Sequence, residues 1–407
     1  MDNIQTTQEP VSSFRNQFNA ARSQLAVPAR TLQSVAHSSG RKTMERILAL
    51  ADIKVNGSRP WDIQIHNEGF YDRVVSQGSL GLGESYMDGW WDVEELDEFF
   101  HRALRADLAT KIPSGWSTLL RQLGATLLNP QRRSKAFEIG KRHYDIGNDL
   151  YRAMLDRRMV YTCAYWKDAK TLDAAQEAKL NLVCRKLGLK AGQKILDIGC
   201  GWGGFLKYAA ENYGATGVGC TVSKEQANLG RQLCAGLPIR IDLQDYRDAE
   251  GTYDHIVSLG MFEHVGRKNY RTFMRMAADH LADDGLFLLD SIGGEGSVWR
   301  TDPWIRKYIF PNSMTPSVEQ IGAAIKGLFV LEDWHNFGAD YDRTLMRWFQ
   351  NFNVHWPDLQ ARYDERFYRM WKYYVLACAG SFRARSSQSW QIVLSKRGLE
   401  GGYGSVR

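Results

Sequence analysis

Apolar positions recur along this chain in two rhythms, and the change falls near residue 194. Before it, residues 41–56 place Met44, Ile47, Leu48 and Ala51 at helical spacing, and Gly57 follows as a helix end prefers. Residues 61–75 alternate loosely and predict short strands. GSLGLGESYMDGWW (78–91) holds four glycines, which predict tight turns, beside the bulky Trp90 and Trp91. Residues 94–110 predict a further helix. This block reads as a small mixed α+β domain over about 41–125, with a connector at 126–145.

After 194 strands and helices alternate. KILDIGC (194–200), ATGVGCTV (215–222), IRIDLQD (239–245), YDHIVSLG (253–260) and GLFLLDSIG (285–293) are apolar runs of strand length. Helical stretches such as 223–235 and 270–281 separate them. Two later strands are predicted at 329–337 and at SWQIVLSK (389–396). The alternation predicts an α/β fold with a doubly wound parallel sheet, which binds ligands at the carboxyl ends of its strands. The catalytic domain should span about 146–407. No apolar run reaches the roughly eighteen residues of a membrane-spanning helix.

Composition changes this picture little. The chain has 407 residues, 44% hydrophobic and 24% charged, an ordinary globular mix that excludes a mostly disordered or fibrous protein. Its net charge of +6 suits contact with an anionic surface without saying which kind. Cys163, Cys184, Cys200, Cys220, Cys234 and Cys378 form no C-x-x-C and no zinc spacing, so a reduced, cytoplasmic protein without a structural metal is expected. Residues 1–40 have no apolar signal core, are rich in Gln, Ser and Thr, and are expected to be a disordered tail. In the connector, Arg132, Arg133, Lys135, Lys141 and Arg142 face one acid, Glu138. That run is either a solvated face or a contact for phosphate or a membrane surface.

The sharpest local signal is LDIGCGWGG (196–204), which leaves a strand and opens a helix. Glycines there let the backbone pass close to a ligand. The spacing of Gly199, Gly201, Gly203 and Gly204 is not that of a dinucleotide fingerprint, and no P-loop lysine follows. Asp197 precedes the turn. An acid in that place suits a ligand with an amino group and no diphosphate, as in S-adenosylmethionine.

From about residue 41 to its end the chain resembles the bacterial cyclopropane-fatty-acyl-phospholipid synthases, within the mycolic acid cyclopropane synthase family. The resemblance rests on GSLGLGESYMDGWW, HYDIGNDLYRAML (143–155), YTCAYW (161–166), LDIGCGWGG, TVSKEQ (221–226), GMFEHVG (260–266), DPWIRKYIFPN (302–312) and EDWHNFGADYDRTLMRW (332–348). It implies a Rossmann-like class I methyltransferase that transfers a methylene from S-adenosylmethionine to the cis double bond of unsaturated phospholipid acyl chains. It also implies a bicarbonate ion as proton acceptor, a homodimer, and peripheral association with the inner face of the membrane. Some plant N-methyltransferases resemble the same family. A methyltransferase for a soluble alkene or amine is therefore a rival reading, and an inactive lipid-surface binding protein is another.

By the family pattern, Tyr161 and Thr162 border the methionine part of the cofactor. Ile195, Asp197, Gly199, Cys200, Gly201, Trp202 and Gly203 wrap it. Thr221, Ser223 and Gln226 approach the ribose and adenine, and Asp245 and Tyr246 flank the adenine, although Tyr246 reads equally well as packing. Glu263, beside His264 after the fourth strand, joins Tyr341 and the backbone near Cys163 and Ile292 around the anion. Cys378 matches a family cysteine, but its apolar neighbours predict a buried and inert thiol, so it is a candidate only.

One position departs from the pattern. The family usually has His where this chain has Asp290. An ionised Asp would repel bicarbonate in a low-dielectric site. Asp290 is therefore protonated and donating, or replaces the anion as base, or is turned away.

Overall fold

The computed structural model describes residues 40–111, 146–297 and 301–407. The expected tail and the basic connector with Arg132, Arg133, Lys135, Lys141 and Arg142 lie outside the described residues. Of HYDIGNDLYRAML, residues 146–155 are described.

The main sheet has seven strands: β3 (Lys194–Ile198), β4 (Thr216–Thr221), β5 (Ile239–Leu243), β6 (Tyr253–Leu259), β7 (Leu281–Gly293), β8 (Val330–Asn336) and β9 (Gln388–Ser395). Their order is β5-β4-β3-β6-β7-β9-β8. Neighbours from β5 to β7 are parallel. β9 runs antiparallel to both β7 and β8. The expected strands are all present, but the wholly parallel sheet is corrected by this reversed strand. SWQIVLSK follows the helix Glu365–Arg383 and enters the sheet from the opposite end. Strand order reverses between β3 and β6, so a crevice opens at the carboxyl ends of those strands.

The amino-terminal block differs more from expectation. Its sheet is a two-residue pair, β1 (Gln64–Ile65) with β2 (Trp91–Asp92). The first helix covers 40–49 and stops short of Gly57, because Asp52 already turns left-handed at φ 54°. Residues expected as strand form the helix Gly69–Gln77, whose buried Phe70, Tyr71 and Val74 lie on one helical face. Most of the glycine-rich segment is also helical, over Ser79–Met87. Only Gly78 and Gly89 there serve turns, with φ of 60° and 72°. Gly81 and Gly83 serve close packing instead. A Cβ on Gly81 would stand 2.3 Å from the Arg73 carbonyl oxygen, and one on Gly83 would stand 2.4 Å from Trp304.

This block docks on the helix Glu365–Arg383 through one continuous core. Phe70, Trp91 and Phe99 share it with Trp371, Tyr373 and Phe382. Gly380 lets the helix Leu96–Arg105 approach, since a Cβ there would lie 2.5 Å from the Asp97 carbonyl oxygen. Arg383 then bridges Asp97 at 2.6 Å, Glu98 at 3.3 Å and Asp342 at 3.0 Å. The same core continues to Tyr151, Trp202 and Tyr341, which border the site described next.

Candidate active site

A cleft opens at the carboxyl ends of β3, β4 and β6. Tyr161, Thr162, Asp197, Gly199, Cys200, Gly201, Trp202, Thr221, Gln226, Asp245 and Tyr246 line it, together with Lys179 and His264. The loop after β3 fits a close-lying ligand. Gly199, Gly201 and Gly203 are all left-handed, with φ of 83°, 55° and 79°. A Cβ on Gly201 would meet nothing within 4 Å, so that side is open, whereas Gly199 is filled in by Met261. Asp197 is 2% exposed, and its Oδ1 is buried with no hydrogen-bond partner. Burial pushes its carboxyl up to about 7, against the pull of the Lys179 charge. A buried carboxylate oxygen without a partner suits an incoming ammonium group.

The far wall is organised by capping. Ser223 caps the helix Lys224–Leu233 by accepting from the Gln226 N–H at 3.2 Å. Thr221 Oγ1 donates to Gln226 Oε1 at 2.8 Å and accepts from the Ser223 N–H at 3.2 Å. Asp245 Oδ1 accepts from the backbone and side chain of Arg247 at 3.0 and 2.9 Å. Tyr246 packs edge-on against Phe273 while also lining the cleft, and its buried hydroxyl has no partner.

Three expected cofactor residues do not line the cleft. Ile195 is fully buried in the apolar layer that includes Leu180 and Phe205, because it sits low on β3. Gly203 faces Cys234 and Ile241 rather than the opening. Ser223 is buried as a cap and acts on the wall through Thr221 and Gln226.

Beyond Tyr161 lies a second cluster. The Tyr161 hydroxyl bonds that of Tyr374 at 2.8 Å, and its ring packs 5.0 Å from Trp348. Tyr341, on the helix Ala339–Leu359, stacks on Phe382 at 4.4 Å and meets Trp348 edge-on. Burial raises its phenol well above the usual range, and Cys163, Tyr161, Glu263 and Asp290 add to the rise. Glu263 is 8% exposed on the short turn Phe262–His264. Its Oε1 accepts from the Ile292 N–H at 2.6 Å, while Oε2 is buried with no partner. Burial lifts its carboxyl to about 7. The Ile292 amide therefore holds one oxygen of Glu263 and leaves the other without a partner.

Asp290 is 2% exposed near the end of β7. Its Oδ2 accepts from Gln391 Nε2 at 3.0 Å, and burial raises its carboxyl against the opposing pull of Lys179. Its carboxylate is held by Gln391, and it is not among the residues that line the cleft. Cys163 is fully buried, its thiol donates to the Ala164 carbonyl at 3.4 Å, and burial raises its pKa well above the usual range. Cys378 lies in the helix Glu365–Arg383, outside the cleft lining, with its thiol pushed up to about 12 by burial.

Sequence reasoning did not single out Lys179, Gln176 and Gln391. Gln176 and Lys179 lie on the helix Leu172–Leu187 and hold the strap that carries Tyr161 and Thr162. Gln176 Nε2 donates to the Thr162 carbonyl at 2.8 Å, and Lys179 Nζ to Thr162 Oγ1 at 2.8 Å. The signal was available: both polar residues interrupt the apolar stripe of Leu172, Ala175, Leu180 and Val183.

A central β3 with strands laid to both sides, a glycine turn and an unpartnered acid define a class I S-adenosylmethionine-dependent methyltransferase. The model of the mycolic acid cyclopropane synthetase family matches residues 131–392. The cyclopropane-fatty-acyl-phospholipid synthase of Escherichia coli (strain K12) is 52% identical over 374 residues, covering 92% of this chain and 98% of that protein. The structure of a cyclopropane synthase from Mycobacterium tuberculosis superposes with a TM-score of 0.61 at 32% identity, covering 64% of this chain and 98% of that one. A mycolic acid cyclopropane synthase complexed with SAH and CTAB superposes at 0.60 with 32% identity, covering 64% and 98%. The chain belongs to the mycolic acid cyclopropane synthetase family.

Proposed function

We propose that this enzyme converts the cis double bond of unsaturated phospholipid acyl chains into a cyclopropane. S-adenosylmethionine supplies the electrophilic methyl. The alkene π pair forms the new bond to that carbon as the carbon–sulfur bond breaks. A proton then leaves the transferred carbon, and its bonding pair closes the ring.

The observation that carries the reading is that Tyr161 lines the cofactor cleft and packs on Trp348, which in turn meets Tyr341 edge-on. An alkene is a weak nucleophile, so alignment supplies much of the rate. The faces of Tyr161, Trp348, Tyr341 and Phe382 offer π density to the developing cation and keep water away.

The bicarbonate of the family pattern finds a weaker set of partners here. Tyr341 offers a hydroxyl and Glu263 an unpartnered oxygen, but the Ile292 N–H is engaged and Asp290 adds a carboxylate. We therefore assign proton acceptance to the Glu263 and Asp290 carboxylates, both raised by burial. A carboxyl held near neutrality suits a base at cellular pH.

Partner and location follow from the same reading. Among the described residues no helix is long and apolar enough to cross a membrane. Peripheral contact with the inner membrane face, made by a homodimer through the basic connector, is the arrangement we favour. Charge reversal at Arg132, Arg133 and Lys135 should weaken sedimentation with phosphatidylglycerol vesicles and leave cofactor affinity unchanged. Unaltered sedimentation at low salt would remove the connector from the proposal.

Mass spectrometry of phospholipid acyl chains tests the activity, using expression in a host without it. Unsaturated chains should gain the mass of one CH₂. Unchanged lipids together with methylation of a soluble amine would favour the rival methyltransferase. The purified enzyme should keep most of its rate when bicarbonate is depleted, and strong dependence would return the proton to that anion.

A further inference from the structure

Residues 160–166 form neither helix nor strand, yet Cys163, Ala164 and Trp166 on this strap are buried. Backbone groups in such a segment need partners from elsewhere. The helix Leu172–Leu187 supplies them on one side. Gln176 Nε2 donates to the Thr162 carbonyl at 2.8 Å, and the Ala175 carbonyl accepts from the Tyr165 N–H at 3.1 Å. The helix Ala339–Leu359 supplies them on the other. Asp340 Oδ2 accepts from the Trp166 N–H at 2.8 Å, and Thr344 Oγ1 accepts from the Ala164 N–H at 3.1 Å.

Thr344 is fully buried, and its hydroxyl is used to capacity. It donates to the Asp340 carbonyl one turn back at 2.8 Å. That leaves its two lone pairs for the strap, where they accept from the Ala164 N–H and from Trp166 Nε1, the latter at 2.9 Å. Tyr341 and Trp348 stand one turn before and one turn after Thr344, on the same buried helix face. Trp348 packs 5.0 Å from the Tyr161 ring, and Tyr161 and Thr162 line the cofactor cleft. One hydroxyl thus joins the strap that borders the cofactor to the helix that carries the aromatic wall. The motifs YTCAYW and EDWHNFGADYDRTLMRW, far apart in the sequence, meet at this side chain.

We propose that Thr344 is a positioning residue whose hydroxyl locks the strap 160–166 onto the helix of Tyr341 and Trp348 and so fixes the separation of cofactor and alkene. The inference rests on the alkene reaction proposed above. The reacting carbons of an alkene carry no charge and no hydrogen-bonding group, so only the surrounding walls can align them with the methyl donor. Thr344 is not among the residues that line the cleft, and it acts through the strap. Without its hydroxyl two buried donors lose their acceptor, and the strap must shift to find them others.

Substitutions that separate the hydroxyl from the shape test the proposal. Thr344→Val keeps the shape and loses the hydroxyl. Its kcat on unsaturated phospholipid should fall on the order of 100-fold, the cost of a displacement of about 1 Å between reacting groups. S-adenosylhomocysteine affinity, by calorimetry, should change far less, because Gln176 and Lys179 still hold Thr162. Thr344→Ser keeps the three bonds, loses one methyl, and should recover most of the rate. Hydrogen exchange over 160–166 should quicken in Thr344→Val and stay as in the parent in Thr344→Ser. If Thr344→Val does not fold, Thr344→Ser and Thr344→Ala, which differ by the hydroxyl alone, carry the same comparison. Equal rates with and without the hydroxyl would overturn the proposal, as would a loss of S-adenosylhomocysteine affinity matching the loss of kcat. A parent that leaves unsaturated phospholipids unchanged would instead overturn the proposed function, and unquickened exchange over 160–166 would still overturn the lock.

Discussion

The cofactor end of this site and the end proposed to accept the proton stand on one sheet, at β3 and at β7 with β6 between them. They are built by opposite means. At β3 the backbone does most of the work: left-handed glycines, an open side at Gly201 and a single unpartnered acid. At β7 the work falls to buried ionisable side chains, Glu263 and Asp290, whose carboxyls burial raises, with the Lys179 charge opposing the rise at Asp290. A backbone site tolerates changes in its surroundings and fails when a Cβ intrudes. A charge cluster tolerates small changes of shape and fails when one charge is left alone. Variants at the two ends should therefore separate binding from turnover.

The largest effect is expected at the charge cluster. Glu263→Gln keeps the shape and can still accept from the Ile292 N–H, but it cannot take up a proton. Turnover of unsaturated phospholipid should fall by about 10²–10⁴-fold, the range for a lost general base, with S-adenosylhomocysteine affinity preserved. A comparable loss of affinity would mean that the two ends are not separable.

Gly201→Val is the matching test at the backbone end. The left-handed φ of 55° disfavours a β-branched residue, at about 1–3 kcal/mol. The new side chain would point into open cleft rather than into protein. Calorimetry should show at least a tenfold loss of S-adenosylhomocysteine affinity, about 1.4 kcal/mol, in a protein that still folds. Undiminished binding would move the ligand away from this loop.

These two ends also differ in how far the sequence alone revealed them. LDIGCGWGG announces its geometry because glycine spacing after a strand has few structural uses, and the loop forms as expected. Asp290 could be flagged as a departure, but its direction depends on Gln391, a residue 101 positions away that pairs with it across β7 and β9. Lys179 left a weaker signal, a polar residue that interrupts the apolar stripe of its helix without showing that it reaches Thr162. In the amino-terminal block the glycines of 78–91 misled, because close helix packing and tight turns draw on the same residue. Only Trp304, more than 200 positions on, shows why Gly83 has no side chain.

A smaller, pH-dependent effect sharpens the comparison. Without ligand, burial holds the Asp197 carboxyl near 7, so below that pH it carries a proton. A ligand ammonium favours the ionised form, so binding must displace that proton. Affinity for S-adenosylhomocysteine should rise as pH increases toward 7 and level off above it. The slope is limited to about tenfold per pH unit, the bound for one proton. Asp197→Asn should weaken binding and flatten the profile. A parent profile flat from pH 5 to about 8 would separate Asp197 from the ammonium.

The smallest effect is expected at Cys378, which belongs to neither end. Its thiol is pushed up to about 12 by burial, so the thiolate needed for nucleophilic chemistry is scarce at neutral pH. It sits on the helix Glu365–Arg383 one turn beyond Tyr374, whose hydroxyl meets that of Tyr161. Its contribution is therefore packing, behind a residue that supports the wall between the two ends. Cys378→Ala removes one sulfur from a partly buried position and should cost about 1 kcal/mol of stability or less. Turnover should change less than about twofold, because a packing change of that size shifts Tyr374 little. Cys378→Ser should behave similarly, and thiol-directed reagents should act slowly on the folded enzyme. A loss of turnover in both variants at unchanged melting temperature would bring Cys378 into the chemistry, and the reaction would then have a third contributor outside the two ends compared above.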